Sequence, residues 1–112
     1  MATKDPKLER LLASARDYAS RGMVNFTLMR LNEARDHAIT TELEISEVML
    51  VNIEQNAYRS GVNTVLEQAR DAASREMTDL VITQLGVARE YAAKVDLDIT
   101  YRIKEIEALI HK

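Results

Sequence analysis

The chain contains no cysteine, which excludes disulfides, thiol catalysis, zinc knuckles and iron–sulfur clusters together. One proline and three glycines among 112 residues are too few for a β-rich or loop-rich fold. They are also too few for a glycine loop that cradles phosphate. Neither sign of charge prevails: 18 acids against 15 bases give −3, so bulk charge asks for neither nucleic acid nor an anionic membrane. The longest apolar run, Val48-Met49-Leu50-Val51, falls far short of the roughly 18 residues that a membrane span requires. The N-terminus, Met1-Ala2-Thr3-Lys4-Asp5-Pro6-Lys7, is polar, with no apolar stretch behind it to act as a secretion signal. A cytoplasmic location and no membrane association are the expectations.

What is present is helical periodicity. Hydrophobic residues make up 46% and charged residues 29%, enough apolar side chains for one core and far from the composition of disorder. Leu8, Leu11, Leu12, Ala15 and Ala19 form a first stripe, entered through Asp5-Pro6 and closed by Gly22. Val24, Leu28, Leu31, Ala34 and Ala38 form a second, with Asn25 or its neighbour as cap. A third helix is expected over Leu43 to Tyr58, with a capping box at Thr41 and Glu44 and an end at Ser60-Gly61. Val62, Val65, Leu66, Ala69 and Ala73 then predict a fourth helix, with a possible box at Thr64 and Glu67. Leu80, Val81, Leu85, Ala88 and Ala92 predict a fifth, opened by Thr78-Asp79. Ile99, Ile103, Ile106 and Ile110 predict a sixth. No two-residue alternation is sustained, so the expected class is all-α, as a single domain over 1–112.

An internal repeat underlies the stripes. Shifted by 54 residues, 11–58 match 65–112 at 14 of 48 positions, against roughly three to four expected by chance from so biased a composition. The matched core runs Ala15-Arg16-Asp17-Tyr18-Ala19-Ser20-Arg21-Gly22-Met23 over Ala69-Arg70-Asp71-Ala72-Ala73-Ser74-Arg75-Glu76-Met77. The six helices therefore read as two duplicated three-helix units, about 5–60 and 61–112. The match blurs after Ile45, which places a one-residue slip or divergence in the third helices.

Each unit carries the pattern Ala-Arg-acid-x-Ala twice, starting at Ala15, Ala34, Ala69 and Ala88. Alanines four apart share one helix face and let two axes approach closely. Arg16, Arg35, Arg70 and Arg89 then turn outward. Their simplest role is to solubilise the back of a hairpin; the functional alternative is a row that binds an anion or acidic partner. An acid beside each arginine weakens the field such a row could offer.

The spacing Ala15, Tyr18, Gly22, Thr27, Leu31, Ala34 resembles that of a tetratricopeptide hairpin, with Thr27 and Leu31 as departures. The second copy, Ala69, Ala72, Glu76, Val81, Leu85, Ala88, keeps the small ends but loses the aromatic and the glycine. The closing proline is missing from both, and the period is 54 rather than 34. The resemblance covers about 20 residues per copy. It implies tetratricopeptide-like hairpin geometry and, by analogy with the family, a peptide-binding role.

Little here suggests chemistry. Glu33 and His37, four apart, could face one metal, but no third ligand follows from spacing. There is no HExxH, no GxSxG and no glycine fingerprint. No catalytic, cofactor-binding or metal-binding residue is assigned, no cofactor is expected, and an enzyme is the least favoured reading. Ten arginines are scattered and interleaved with acids, which leaves a nucleic-acid-associated accessory protein as the runner-up. The third helix is unusual in being apolar nearly all round, from Ile45 to Ile53. It is a central core helix joining the units, a self-association surface with Val48, Leu50 and Val51 as the candidate interface, or, through its acidic first turn of Glu42, Glu44 and Glu47, a docking site for a basic partner. The favoured function is a non-enzymatic protein–protein interaction or self-assembly module, with a protein partner or a second copy of the chain in a homodimer.

Overall fold

The structure, a computed structural model describing residues 5–111, is 82% helical and contains no strand among the described residues. Five helices follow one another among the described residues: α1 (Pro6–Ser20), α2 (Val24–Thr40), α3 (Glu47–Ser74), α4 (Thr78–Lys94) and α5 (Thr100–Ile110). The expected start of α1 is in place. A side-chain oxygen of Asp5 accepts the Leu8 amide at 3.0 Å, and Pro6 occupies the first turn, where no amide is needed. Its end is at Gly22, which takes φ of 70° while the Met23 amide reaches back to the Tyr18 carbonyl at 3.0 Å.

That turn recurs 54 residues later. Glu76 has φ of 59° and the Met77 amide donates to the Ala72 carbonyl at 2.9 Å. The turns after α2 and α4 also agree at this shift, with Glu42 and Asp96 in the left-handed region. There Leu43 and Leu97 donate to Ala38 and Ala92 at 2.8 and 2.9 Å. From that point the shift becomes 53: α3 begins at Glu47 and α5 at Thr100, and buried Leu50 and Ile53 correspond to buried Ile103 and Ile106.

The described residues form five helices rather than six, because the expected third and fourth helices are one. Ser60-Gly61 does not end a helix. Gly61 keeps a right-handed conformation and is buried inside α3, whose 28 residues make a rod of about 42 Å at 1.5 Å per residue. The apolar line Ile53, Ala57, Gly61, Val65, Ala69 runs unbroken at four-residue steps, so one face stays covered through the junction. Glycine is there for close approach. A β-carbon on it would stand 2.9 Å from Cγ2 of Val24 and 3.0 Å from Cδ2 of Tyr91.

The expected caps change accordingly. α3 is capped by Ser46, which accepts the Met49 amide at 3.2 Å, and not by a Thr41–Glu44 box; Thr41 closes α2 instead. Thr64 lies mid-helix, its hydroxyl donating to the Ser60 carbonyl at 3.1 Å. Helix α2 starts at Val24, with Met23 and not Asn25 in the capping position.

Two cores are strung along α3. Helices α1 and α2 cover its first half around Leu12, Leu31, Leu50 and Ile53. Helices α4 and α5 cover its second half around Leu66, Leu85, Ile103 and Ile106. Ala15 and Ala34 in one hairpin, and Ala69 and Ala88 in the other, are fully buried, as close-packed seams require. Tyr91 packs against both cores, its ring edge-on to Tyr58 at 5.6 Å between centroids. The result is an elongated body of 61 × 23 × 18 Å. No described helix is long and apolar enough to cross a membrane.

Candidate docking groove

The candidate interface on α3 splits. Leu50 is fully buried in the first core, so it is a core residue and not a contact surface. Val48 and Val51, at 72% and 40% exposed, remain on the outside. The split follows from helix geometry: with α1 and α2 covering one side of α3, residues two positions apart point about 200° from each other. The all-round apolar character of this helix thus resolves into a covered face and two exposed valines.

The four arginines do not make one row. Arg16 places Nη2 3.2 Å from the Met49 sulfur, and Arg35 pairs with Glu47 at 3.5 Å, so these two flank the start of α3. Arg89 approaches Glu107 on α5 at 4.0 Å, and Arg70 is exposed on the second half of α3. Exposed pairs of this kind contribute little to stability.

Glu33 and His37 are separately engaged. Glu33 takes Arg30 at 2.8 Å, and Nε2 of His37 lies 2.9 Å from Oδ1 of Asp5. The bond to the Leu8 amide, then the contact with His37, hold the Asp5 carboxyl below its ordinary value of 3.8. Among the described residues, no group of three or more His, Asp or Glu side chains stands together as a metal site. Burial, followed by the charge of Glu54, raises the Tyr58 hydroxyl.

The most distinctive surface lies elsewhere, between the second half of α3 and the start of α4. It is a groove of about 610 Å³, with Ala72 and Leu80 in its walls and Glu67, Asp71 and Arg75 along one side. Met77 and Leu80 are exposed large apolar residues. The matching position in the first hairpin, 54 residues earlier, is partly filled, leaving a smaller groove of about 350 Å³ beside Arg10, Ser14 and Arg30. Ala72 corresponds to Tyr18, Leu80 to Phe26 and Gln84 to Arg30. There the rings of Tyr18 and Phe26 stack at 5.1 Å and 25°. The Arg30 guanidinium lies 5.9 Å from the Tyr18 centroid, and its Nε donates to the Ser14 hydroxyl at 3.1 Å. Each of these three parts is replaced in the second hairpin by a residue without ring or charge. Nothing in the spacing of Ala72, Leu80 and Gln84 singles them out in the sequence. The signal lies in the 54-residue shift, at the positions where the two segments differ.

The chain matches no known family, and no curated protein or solved structure matches it either.

Proposed function

We propose that this chain is a non-enzymatic protein–protein interaction module that holds its partner in the α3–α4 groove. The observation that carries this reading is the wider groove at the place where Tyr18, Phe26 and Arg30 take up part of the equivalent space in the first hairpin. An apolar-walled surface left uncovered, with polar groups at its edge, has the make-up of a recognition site. The chain is also proposed to descend from a duplicated hairpin-plus-helix unit with tetratricopeptide-like seams. The paired left-handed turns at Gly22 and Glu76, and at Glu42 and Asp96, support that descent. One copy would then keep its plug for stability while the other lost it for binding.

The two ends argue against open-ended stacking of copies. Val24 and Tyr91 meet at the junction between the cores, whereas their counterparts Thr78 and His37 are polar. Polar outer faces are what terminal repeats present.

The test is a pull-down from native lysate with wild-type protein and with Leu80→Glu, a change at an exposed wall residue. A partner captured by the first and lost by the second, with the helical circular dichroism of both unchanged, supports the groove. A partner captured equally by both places binding elsewhere, with exposed Val48 and Val51 the next surface to probe.

A further inference from the structure

Resting on that reading, we infer that the groove recognises an aromatic side chain carried next to a basic one, in a short exposed segment of the partner. The first hairpin supplies the template. Where the second has Ala72 and Gln84, it holds a tyrosine ring with a guanidinium near its centroid. A ring with a guanidinium over it is therefore the chemistry that this backbone geometry accommodates, and the groove has no ring and no counterpart of the Arg30 guanidinium, its one lining arginine, Arg75, being paired with Asp71. Leu80 replaces Phe26 and keeps an apolar wall for a ring to lie against.

Charge complementarity selects the neighbour. Glu67 stands where the first hairpin has Ala13, so the groove has gained a carboxylate at that position. Asp71 is conserved between the two hairpins as Asp17, and each pairs with the arginine four residues on, at 3.3 Å. The new acid is thus Glu67, and Gln84 opposite it has given up the cation of Arg30. With the Arg30–Glu33 pair replaced by Gln84 and Val87, the surface has lost one charge of each sign and gained the acid of Glu67, which favours a cation brought by the partner. An acidic or purely aliphatic segment would leave Glu67 opposed or unused.

The experiment uses the full chain, labelled with nitrogen-15, and a capped hexapeptide of alternating arginine and tyrosine as the probe. The expected result is shifted amide signals at Gln68, Ala72, Leu80 and Gln84. A peptide with alanine in place of tyrosine should bind at least tenfold more weakly, as should one with glutamate in place of arginine. Glu67→Lys, an exposed change, should weaken the arginine–tyrosine peptide about fivefold or more. The double variant Ala72→Tyr, Gln84→Arg restores the ring and guanidinium of the first hairpin and should abolish binding. Equal binding of the alanine peptide, or no effect of Glu67→Lys, overturns the inference. A leucine–glutamate hexapeptide that shifts the groove signals when the arginine–tyrosine peptide does not overturns it too, while leaving the groove reading in place. If no peptide shifts groove signals, and Leu80→Glu leaves partner capture intact, both fall.

Discussion

Tyr91 lies against Gly61 so closely that a β-carbon there would stand 3.0 Å from its ring. The contact joins the two cores: Gly61 is in the middle of α3, and Tyr91 comes from the last turns of α4. A helix that crosses from one three-helix group to the next must let the neighbouring hairpin approach its backbone, and glycine permits that.

This predicts opposite signs for two glycine-to-alanine changes. Gly86, in mid-α4, has no atom within 4 Å of where its β-carbon would be, so Gly86→Ala should stabilise by roughly 0.5–1 kcal/mol. At Gly61 the same propensity gain is opposed by overlap with Val24 and Tyr91, and overpacking costs about 1–3 kcal/mol. Gly61→Ala should therefore destabilise. Urea unfolding of both variants reads the difference, and a stabilised Gly61→Ala would mean that the junction is loosely packed.

Leu50 and Val48 separate core from surface on one helix. Leu50→Glu puts a charge where no water reaches and should cost at least about 4 kcal/mol, unfolding the first three-helix group. Val48→Glu, on an exposed position, should change stability by under about 0.5 kcal/mol. Thermal melts followed by circular dichroism distinguish them. A folded Leu50→Glu chain would show that α3 is covered differently, with this face free.

The alanine seams make a second paired test. Ala34→Leu and Ala88→Leu force larger side chains between packed helices and should each cost roughly 1–3 kcal/mol. Arg35→Ala and Arg89→Ala remove only exposed or half-exposed ion pairs, and each should cost under about 1 kcal/mol. Larger losses from the arginine changes would reverse the assignment of faces.

Acid should weaken two helix starts. Asp5 accepts the Leu8 amide and contacts His37, and Asp98 accepts the Thr100 amide. Both carboxyls are held below the ordinary value of 3.8, in each case chiefly by the backbone amide bond. A lowered folded-state value means stability present above 3.8 and lost as the pH falls through the folded value. Asp5→Ala should lower the urea midpoint at neutral pH, and its gap from wild type should close as the pH drops below 3.8. A gap that persists unchanged into acid would assign the effect to the chain direction at Pro6 instead of the carboxylate.

Local chemistry made much of the architecture readable in advance. The start at Asp5-Pro6, the stop at Gly22, the stripes of α1, α2, α4 and α5 and the alanine seams depend on 3.6-residue periodicity and on capping within one turn. Such signals are contained in a few neighbouring residues, so the amino-acid sequence by itself determined the helical class and the hairpin turns. Three features were decided only by tertiary structure. Ser60-Gly61 has the composition of a helix end, yet it continues α3, because Val24 and Tyr91 cover the glycine and keep that face apolar. Leu50 and Val48 look alike as apolar residues, and only the placement of α1 and α2 makes one core and the other surface. The α3–α4 groove exists because Ala72 faces Leu80 and Gln84 across two helices, an encounter that spacing along one chain segment does not encode. Periodicity says which residues share a face; what covers that face depends on the path of the rest of the chain.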